Sequence, residues 1–316
     1  MYICKKKAES IWRFHREGEV SRISQTFHAI ATQEVRCRAV VLAGVTRIPH
    51  ISKSHSLTNL TERSDMQGFI PAAGKGTRLK PFTDKHPKAL FPFGESTLLE
   101  IAIRRLEALG IGHIVINTHH FSTQIETYLK SKRWEADIAI SDESEQLMDT
   151  GGGLKKASKL LNSNEPVMVH NVDILSTIDL GELIQVHQQS QAMATLAVSE
   201  RETSRGLLFD RHHQLVGWHN SVDNQYIWCD QETDNYQKKA FSGIYIIEPR
   251  LIDQMRPADT PYPIIPELLR IGKDNPINYY MHRAEEWMDV GKSEKIADAQ
   301  HFFQEITAAK AKEPSR

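Results

Sequence analysis

The sequence predicts an α/β fold, a sheet covered by helices, and three observations carry that prediction. From Met66 onward, short apolar strand-like runs alternate with helical patterns. A buried strand pattern over 68–73 runs directly into a glycine-rich turn. The chain has 316 residues, 40% hydrophobic and 25% charged, which supplies core for one large α/β domain or two ordinary ones.

Each element follows from its local pattern. Pro71 closes the first strand at a position where no ladder donor is required. The spacing predicts an amphipathic helix over 98–109, with Leu98, Ile101, Leu106 and Leu109 on one face and Gly110 as its stop. A strand over 114–117 and a helix over 124–129 come next. A short strand over 138–140 precedes an acidic stretch containing Asp142, Glu143 and Glu145, and then Asp149-Thr150-Gly151-Gly152-Gly153 opens a helix running to 161. A buried strand over 167–169 ends at Asn171-Val172-Asp173. Further strands are predicted over 195–198, 206–209 and 243–247, with a polar, hairpin-rich region over 210–239. A helix over 293–306, capped by Ser293, closes the chain.

Composition excludes several classes of function. Thirty-nine Lys and Arg against forty Asp and Glu leave a formal charge of −1, so no global basic field exists to hold nucleic acid. Cys4, Cys37 and Cys229 form no C-x-x-C pair, which leaves neither a disulfide framework nor a zinc knuckle and fits a reducing compartment. The longest apolar run, 39–45, is far short of the roughly 20 residues that span a bilayer, so the expectation is a cytoplasmic protein without membrane partners. Residues 1–65 hold eleven basic and six acidic side chains, a net of +5, while the rest of the chain carries −6. They read as a peripheral or poorly ordered extension without a secretory h-region, before a domain over 66–310 and a tail over 311–316.

The chemistry concentrates in three places. Ala72-Ala73-Gly74-Lys75-Gly76-Thr77-Arg78 places glycines after a buried strand, where backbone N–H groups can approach an anion, with Lys75 and Arg78 adding positive charge. It matches neither the dinucleotide fingerprint nor the P-loop, and a plain strand-to-helix turn would also account for it. Ten residues beyond Arg78, Pro87 stiffens a loop that can return Lys88 to the same anion. Asp173 lies after the strand over 167–169, at the edge of a sheet where ligands collect, with an ordinary turn aspartate as the rival reading. Asp289 is the third place, its rival reading a cap on the following helix.

Gly74-x-Gly76-Thr77-Arg78 with Pro81, Thr83, Pro87 and Lys88 resembles the sugar-phosphate nucleotidyltransferase signature, approximately G-x-G-T-R-x-x-P-x-T-x-x-x-P-K. The resemblance continues through Asn171-Val172-Asp173, Phe241-Ser242-Gly243-Ile244-Tyr245 and Trp287-Met288-Asp289-Val290-Gly291, covering about 68–305. It implies a Rossmann-like three-layer fold with a mixed, mostly parallel central sheet. It also implies transfer of a nucleoside monophosphate from an NTP to a sugar 1-phosphate with release of pyrophosphate. In that scheme Arg78 and Lys88 are catalytic, Ala72 to Thr77 hold the nucleotide, and Asp173 and Asp289 bind Mg²⁺. Asn117, Ser242 and Gly243 face the sugar, and Gly151 and Gly152 the base.

The triplet Gly151-Gly152-Gly153 resembles the E-T-G-G-G of bacterial N-acetylmuramate 1-phosphate uridylyltransferases, which implies UTP and N-acetylmuramate 1-phosphate as substrates, with a monomer or small homo-oligomer as the assembly. A mannose 1-phosphate guanylyltransferase or a non-catalytic sugar-nucleotide-binding subunit shares the other motifs. Two departures stand out: Val172 occupies a position usually held by glycine, where crowding could weaken catalysis, and Pro71 stands where leucine is common. The pairs His119-His120 and His212-His213 lack the i, i+4 spacing of a helical zinc site, and Trp218, Tyr226 and Trp228 read as loop packing before a sugar-pocket lining.

Overall fold

A computed structural model describes residues 64–291 together with 298, 299 and 302. The predicted extension up to residue 63, the tail over 311–316 and most of the predicted closing helix over 293–306 lie outside the described residues.

In chain order, β1 (Gln67–Pro71) leads into a loop and three short 3-10 turns, then the small hairpin of β2 (Pro92–Phe93) and β3 (Ser96–Thr97). Next come α1 (Leu98–Glu107), β4 (His113–Thr118), α2 (Ser122–Lys130), β5 (Asp137–Asp142) and α3 (Asp149–Ala157). β6 (Val167–His170), β7 (Ile174–Ser176), α4 (Leu180–Ser190), β8 (Ala194–Ser199), β9 (Arg205–Phe209), β10 (Leu215–Asn220) and β11 (Gln225–Trp228) follow. The chain continues through β12 (Gln237–Ile247), α5 (Pro249–Gln254), α6 (Ile264–Gly272), β13 (Ile277–Met281) and β14 (Trp287–Asp289).

The main sheet is mixed and runs β11-β10-β9-β12-β6-β1-β4-β5, with β8 against β12 and β13 against β8. Its core, β6-β1-β4-β5, is parallel, because each crossover passes through a helix. β12 lies antiparallel to β6, β8 and β9. Alternation along the strands sorts the core into two layers. Ile70, Ile114, Ile116, Met168, Ile244 and Ile246 face α1, α2 and α4, while Phe69, Val115, Val167, Val169, Tyr245 and Ile247 face α3, α5 and α6. The expected three-layer α/β fold is therefore the one observed.

Local chemistry explains the boundaries. α1 starts where the Thr97 hydroxyl accepts from the Glu100 N–H and ends two residues before the predicted 109, because Gly110, at φ 76, closes the turn. β12 is longer than the predicted 243–247: its polar half, Gln237 to Lys239, pairs with β9. Within it the register shifts between Phe241 and Tyr245, around Gly243 at φ 73. Among the described residues no helix is long and apolar enough to cross a membrane.

Candidate active site

The glycine loop, Asn117 and Asp173 follow or end β1, β4 and β6 at one edge of the sheet, the C-terminal ends of its parallel strands. After β1, Ala72 and Ala73 are buried, whereas Gly74, Lys75, Thr77 and Arg78 are exposed. Gly76 adopts φ 59, and a Cβ there would lie 2.7 Å from Lys88 Cβ. Glycine is thus required both for the left-handed backbone and for the close approach of the Lys88 stem. The Thr83 hydroxyl donates to the Gly76 carbonyl at 3.0 Å, tying the returning segment to the loop.

The carboxylates come together through a second, two-stranded ladder. β7 and β14 pair antiparallel with Asp289 opposite Ile174, and the Val290 N–H donates to the Asp173 carbonyl at 2.9 Å. Lys88 forms an ion pair with Asp173, both side chains being mostly buried. A Cβ on Gly291 would lie 2.7 Å from Asp289 Oδ1, 3.0 Å from Asp173 Oδ2 and 3.4 Å from Lys88 Nζ. The three charged groups therefore converge on one point that only glycine leaves open. Two carboxylates around such an opening suit Mg²⁺, which keeps waters and takes substrate phosphates as its remaining ligands. A cation there would compete with Lys88 for Asp173.

The other predicted residues have these neighbours in the fold. Asn117, expected at the sugar, is buried beneath the glycine loop: its Oδ1 accepts from the Ala72 and Ala73 N–H groups at 2.7 and 3.3 Å. Its Nδ2 donates to Glu143 Oε1 at 2.7 Å, so the side chain ties the loop backbone to Glu143. Ser242, also expected at the sugar, is buried with its hydroxyl 2.7 Å from His282 Nε2, and its carbonyl accepts from Trp287 Nε1 at 2.7 Å. Gly243 is pressed against the Asn171 side chain, where a Cβ would meet Nδ2 at 2.6 Å. Gly151 and Gly152, expected to meet a base, both donate their N–H to the Tyr262 carbonyl, and a Cβ on Gly151 would strike the Tyr262 ring at 2.7 Å. The triplet is a packing device between α3 and the segment that opens α6. Val172 is buried in the α1, α2, α4 layer, so its side chain turns into the core.

Two participants were not singled out from sequence. Glu143 is fully buried, accepts from Asn117 and from the Met148 N–H at 2.8 Å, and has its pKa raised by that burial. Arg201 lies with its guanidinium 3.8 Å from the centre of the Trp287 ring and donates to the Phe241 carbonyl. Burial lowers its pKa, against the attraction of Asp289. Trp287 carries a recognisable motif signal, whereas Arg201 and Glu143 act only across long loops, where sequence offers no spacing to read.

Residues 67–207 match the family model described as Nucleotidyl transferase. A UTP–glucose-1-phosphate uridylyltransferase of Synechocystis sp. is 28% identical over 72% of this chain and 60% of its own length. The chain thus spans about 60% of that relative. An N-acetylmuramate α-1-phosphate uridylyltransferase of Caulobacter vibrioides is 27% identical over 73% of this chain and 97% of its own. Among solved structures, a UDP-glucose pyrophosphorylase complexed with UDP-glucose superposes with a TM-score of 0.59 at 19% identity, covering 76% of this chain and 99% of that one.

Proposed function

We propose that this chain, whose residues 67–207 match the Nucleotidyl transferase family model, joins a nucleoside monophosphate from an NTP to a sugar 1-phosphate. The observation that carries the proposal is the convergence of Lys88, Asp173 and Asp289 on Gly291, beside a glycine loop bearing Lys75 and Arg78. A phosphate monoester is already an anionic nucleophile, so no side chain need abstract a proton or form a covalent intermediate. One sugar-phosphate oxygen bonds to the α-phosphorus, the α–β bridging bond breaks, and its electron pair leaves with pyrophosphate. The protein's task is to hold anions together against their repulsion and stabilise the charge of the transferring group.

In this reading the loop N–H groups, Lys75 and Arg78 bind the triphosphate, and Lys88 neutralises phosphate charge at the reacting centre. Asp173 and Asp289 would hold Mg²⁺, which would supply further charge neutralisation when bound. Asn117 and Glu143 keep Ala72 and Ala73 in place beneath the nucleotide. UTP and N-acetylmuramate 1-phosphate are the proposed substrates, supported by the near-complete coverage of the Caulobacter relative.

The test is pyrophosphate release with Mg²⁺, crossing UTP, GTP, CTP and dTTP against N-acetylmuramate, mannose and glucose 1-phosphates. Turnover confined to UTP with the muramate sugar supports the assignment, and GTP with mannose 1-phosphate replaces it. Silence across the panel from a folded protein that binds nucleotide makes it a binding subunit. Asp173→Asn should lower kcat about 10²-fold or more. Near-normal turnover by that variant would exclude Asp173 from the reacting centre.

A further inference from the structure

Asp289 stands on a ladder outside the main sheet: β14 has three residues and pairs with β7, itself three residues long. Two strands of that length are marginal by themselves, so the position of Asp289 depends on what ties the ladder to the rest of the fold. Met288 and Val290, at alternate positions, pack into the core. Trp287 shares a face with Asp289, and its ring is the link to β12.

That link meets β12 at its irregular stretch. From Phe241 to Tyr245 the strand advances four residues while β8 advances two, from Val198 to Leu196, so Ser242 and Gly243 take no partner on β8. Three successive carbonyls are engaged by the supports of the site instead. The Phe241 carbonyl accepts from the Arg201 guanidinium, that of Ser242 from Trp287 Nε1 at 2.7 Å, and that of Gly243 from the Asn171 N–H at 3.0 Å. Asn171 stands two residues before Asp173, as Trp287 stands two before Asp289. The Ile174 N–H returns to the Asn171 carbonyl at 3.2 Å and closes the turn that carries Asp173. One stretch of β12 therefore reaches both carboxylate-bearing segments.

Arg201, two residues beyond β8, completes the arrangement. Its guanidinium lies 3.8 Å from the centre of the Trp287 ring, so the ring is held on its face by Arg201 and at its Nε1 edge by Ser242. Arg201 Nε is buried, which turns that edge of the guanidinium away from solvent and any ligand. The Ser242 peptide is fixed in turn from its side chain. His282 Nδ1 donates to the Arg283 carbonyl at 2.8 Å, so Nε2 of the neutral ring accepts from the Ser242 hydroxyl at 2.7 Å.

We propose that Arg201 is a positioning residue for the divalent-cation site: by clamping the Trp287 ring against the Phe241 and Ser242 carbonyls, it holds Asp289 where one cation can bridge it to Asp173. The proposal rests on the reading of Asp173 and Asp289 as cation ligands in a nucleotidyl transferase. In this role Arg201 touches neither the cation nor a substrate.

Mn²⁺ is the probe, in calorimetry on the full chain with a non-hydrolysable UTP analogue, and kcat and KM are read at graded Mg²⁺. Arg201→Met keeps an unbranched stem over the ring but loses the charge and the donor. It should weaken Mn²⁺ binding about tenfold, the usual effect of removing a group that orients a metal ligand. Arg201→Lys, which keeps charge without the planar fork, should recover only part of that loss. Trp287→Phe, which keeps a ring without its donor, should weaken Mn²⁺ binding too, and both variants carry the test if Arg201→Met does not fold. Saturating Mg²⁺ should return kcat of Arg201→Met to within about threefold of wild type, with KM for the sugar phosphate unchanged. In an Asp289→Asn background, Arg201→Met should cost no further cation affinity, because both changes act through one carboxylate. Undiminished Mn²⁺ affinity in the Arg201 and Trp287 variants would overturn the proposal, as would an equal further loss in the Asp289→Asn background. A raised KM for the sugar phosphate at unchanged Mn²⁺ affinity would overturn it by making Arg201 a substrate-binding group. Absence of Mn²⁺ binding by the wild type would overturn both the clamp and the cation assignment. Mn²⁺ affinity that depends on Arg201, without turnover from any NTP, would leave the clamp standing while the reaction assigned above fails.

Discussion

Val172 shows how one residue can read differently in a motif and in a fold. In sequence it stands where crowding by a side chain could weaken catalysis. In the structure its side chain is 4% exposed and packs into the same layer as Ile174, Leu175 and Val290, directly behind the Asp173 loop. Val172→Gly should therefore not improve turnover. It should destabilise the protein by about 2–4 kcal/mol, from lost burial, a cavity and added backbone freedom, readable as a lower urea midpoint. An unchanged midpoint with faster turnover would reinstate the crowding reading. Lys88, Asp173 and Asp289 stood out in sequence through the motifs that carry the family resemblance, and the fold brings them to one point at Gly291. Asn117, Ser242, Gly151 and Gly152 were legible as special positions but not in their contacts. Whether a polar side chain faces a ligand or props up a neighbouring loop is decided by residues far away in sequence, such as Glu143 and His282.

At the scale of elements, α3 is where sequence and structure diverge most usefully. Its glycines let three other segments approach: Gly151 takes the Tyr262 ring, Gly152 lies near Met148 and Thr260, and Gly153 makes room for the Asn117–Glu143 hydrogen bond. A Cβ on Gly153 would lie 2.8 Å from both Asn117 Nδ2 and Glu143 Oε1. Gly153→Ala should thus push the Asn117 amide off the Ala72 and Ala73 N–H groups. The expected result is a several-fold rise in KM for the nucleotide and about 1–3 kcal/mol of lost stability. A variant with unaltered nucleotide KM would separate this hydrogen-bond chain from the loop's function. The strong strands were legible because their alternation is fixed by a two-sided core. α6 was not, since Pro266 reads as a break; it sits in the helix's first turn, where no donor is lost. β7, β13, β14 and α4 also went unseen, the strands because three to five residues carry little periodic signal.

For the molecule as a whole, buried histidines set the response to acid. Burial lowers the pKa of His170 to about 3, and lowers those of His187 and His282 as well. Each stays neutral in the fold while the unfolded chain takes up a proton near pH 6.5. Their contribution is complete above that value and is lost as pH falls toward the folded values. For His170 the loss is about 1.4 kcal/mol per pH unit. Glu143, raised by burial, acts in the opposite sense above the ordinary carboxylate range. Urea midpoints should therefore drop between pH 7 and pH 5, and equal midpoints would show that these histidines titrate normally. The β7–β14 ladder has a further consequence for how the protein is made. It joins Asp173 to a strand that emerges from the ribosome more than a hundred residues later, so a nascent chain can fold its parallel core while still lacking Asp289. Premature termination between Asp173 and Asp289 would then yield a polypeptide that retains the glycine loop and Lys88 yet has no second carboxylate to set beside Asp173.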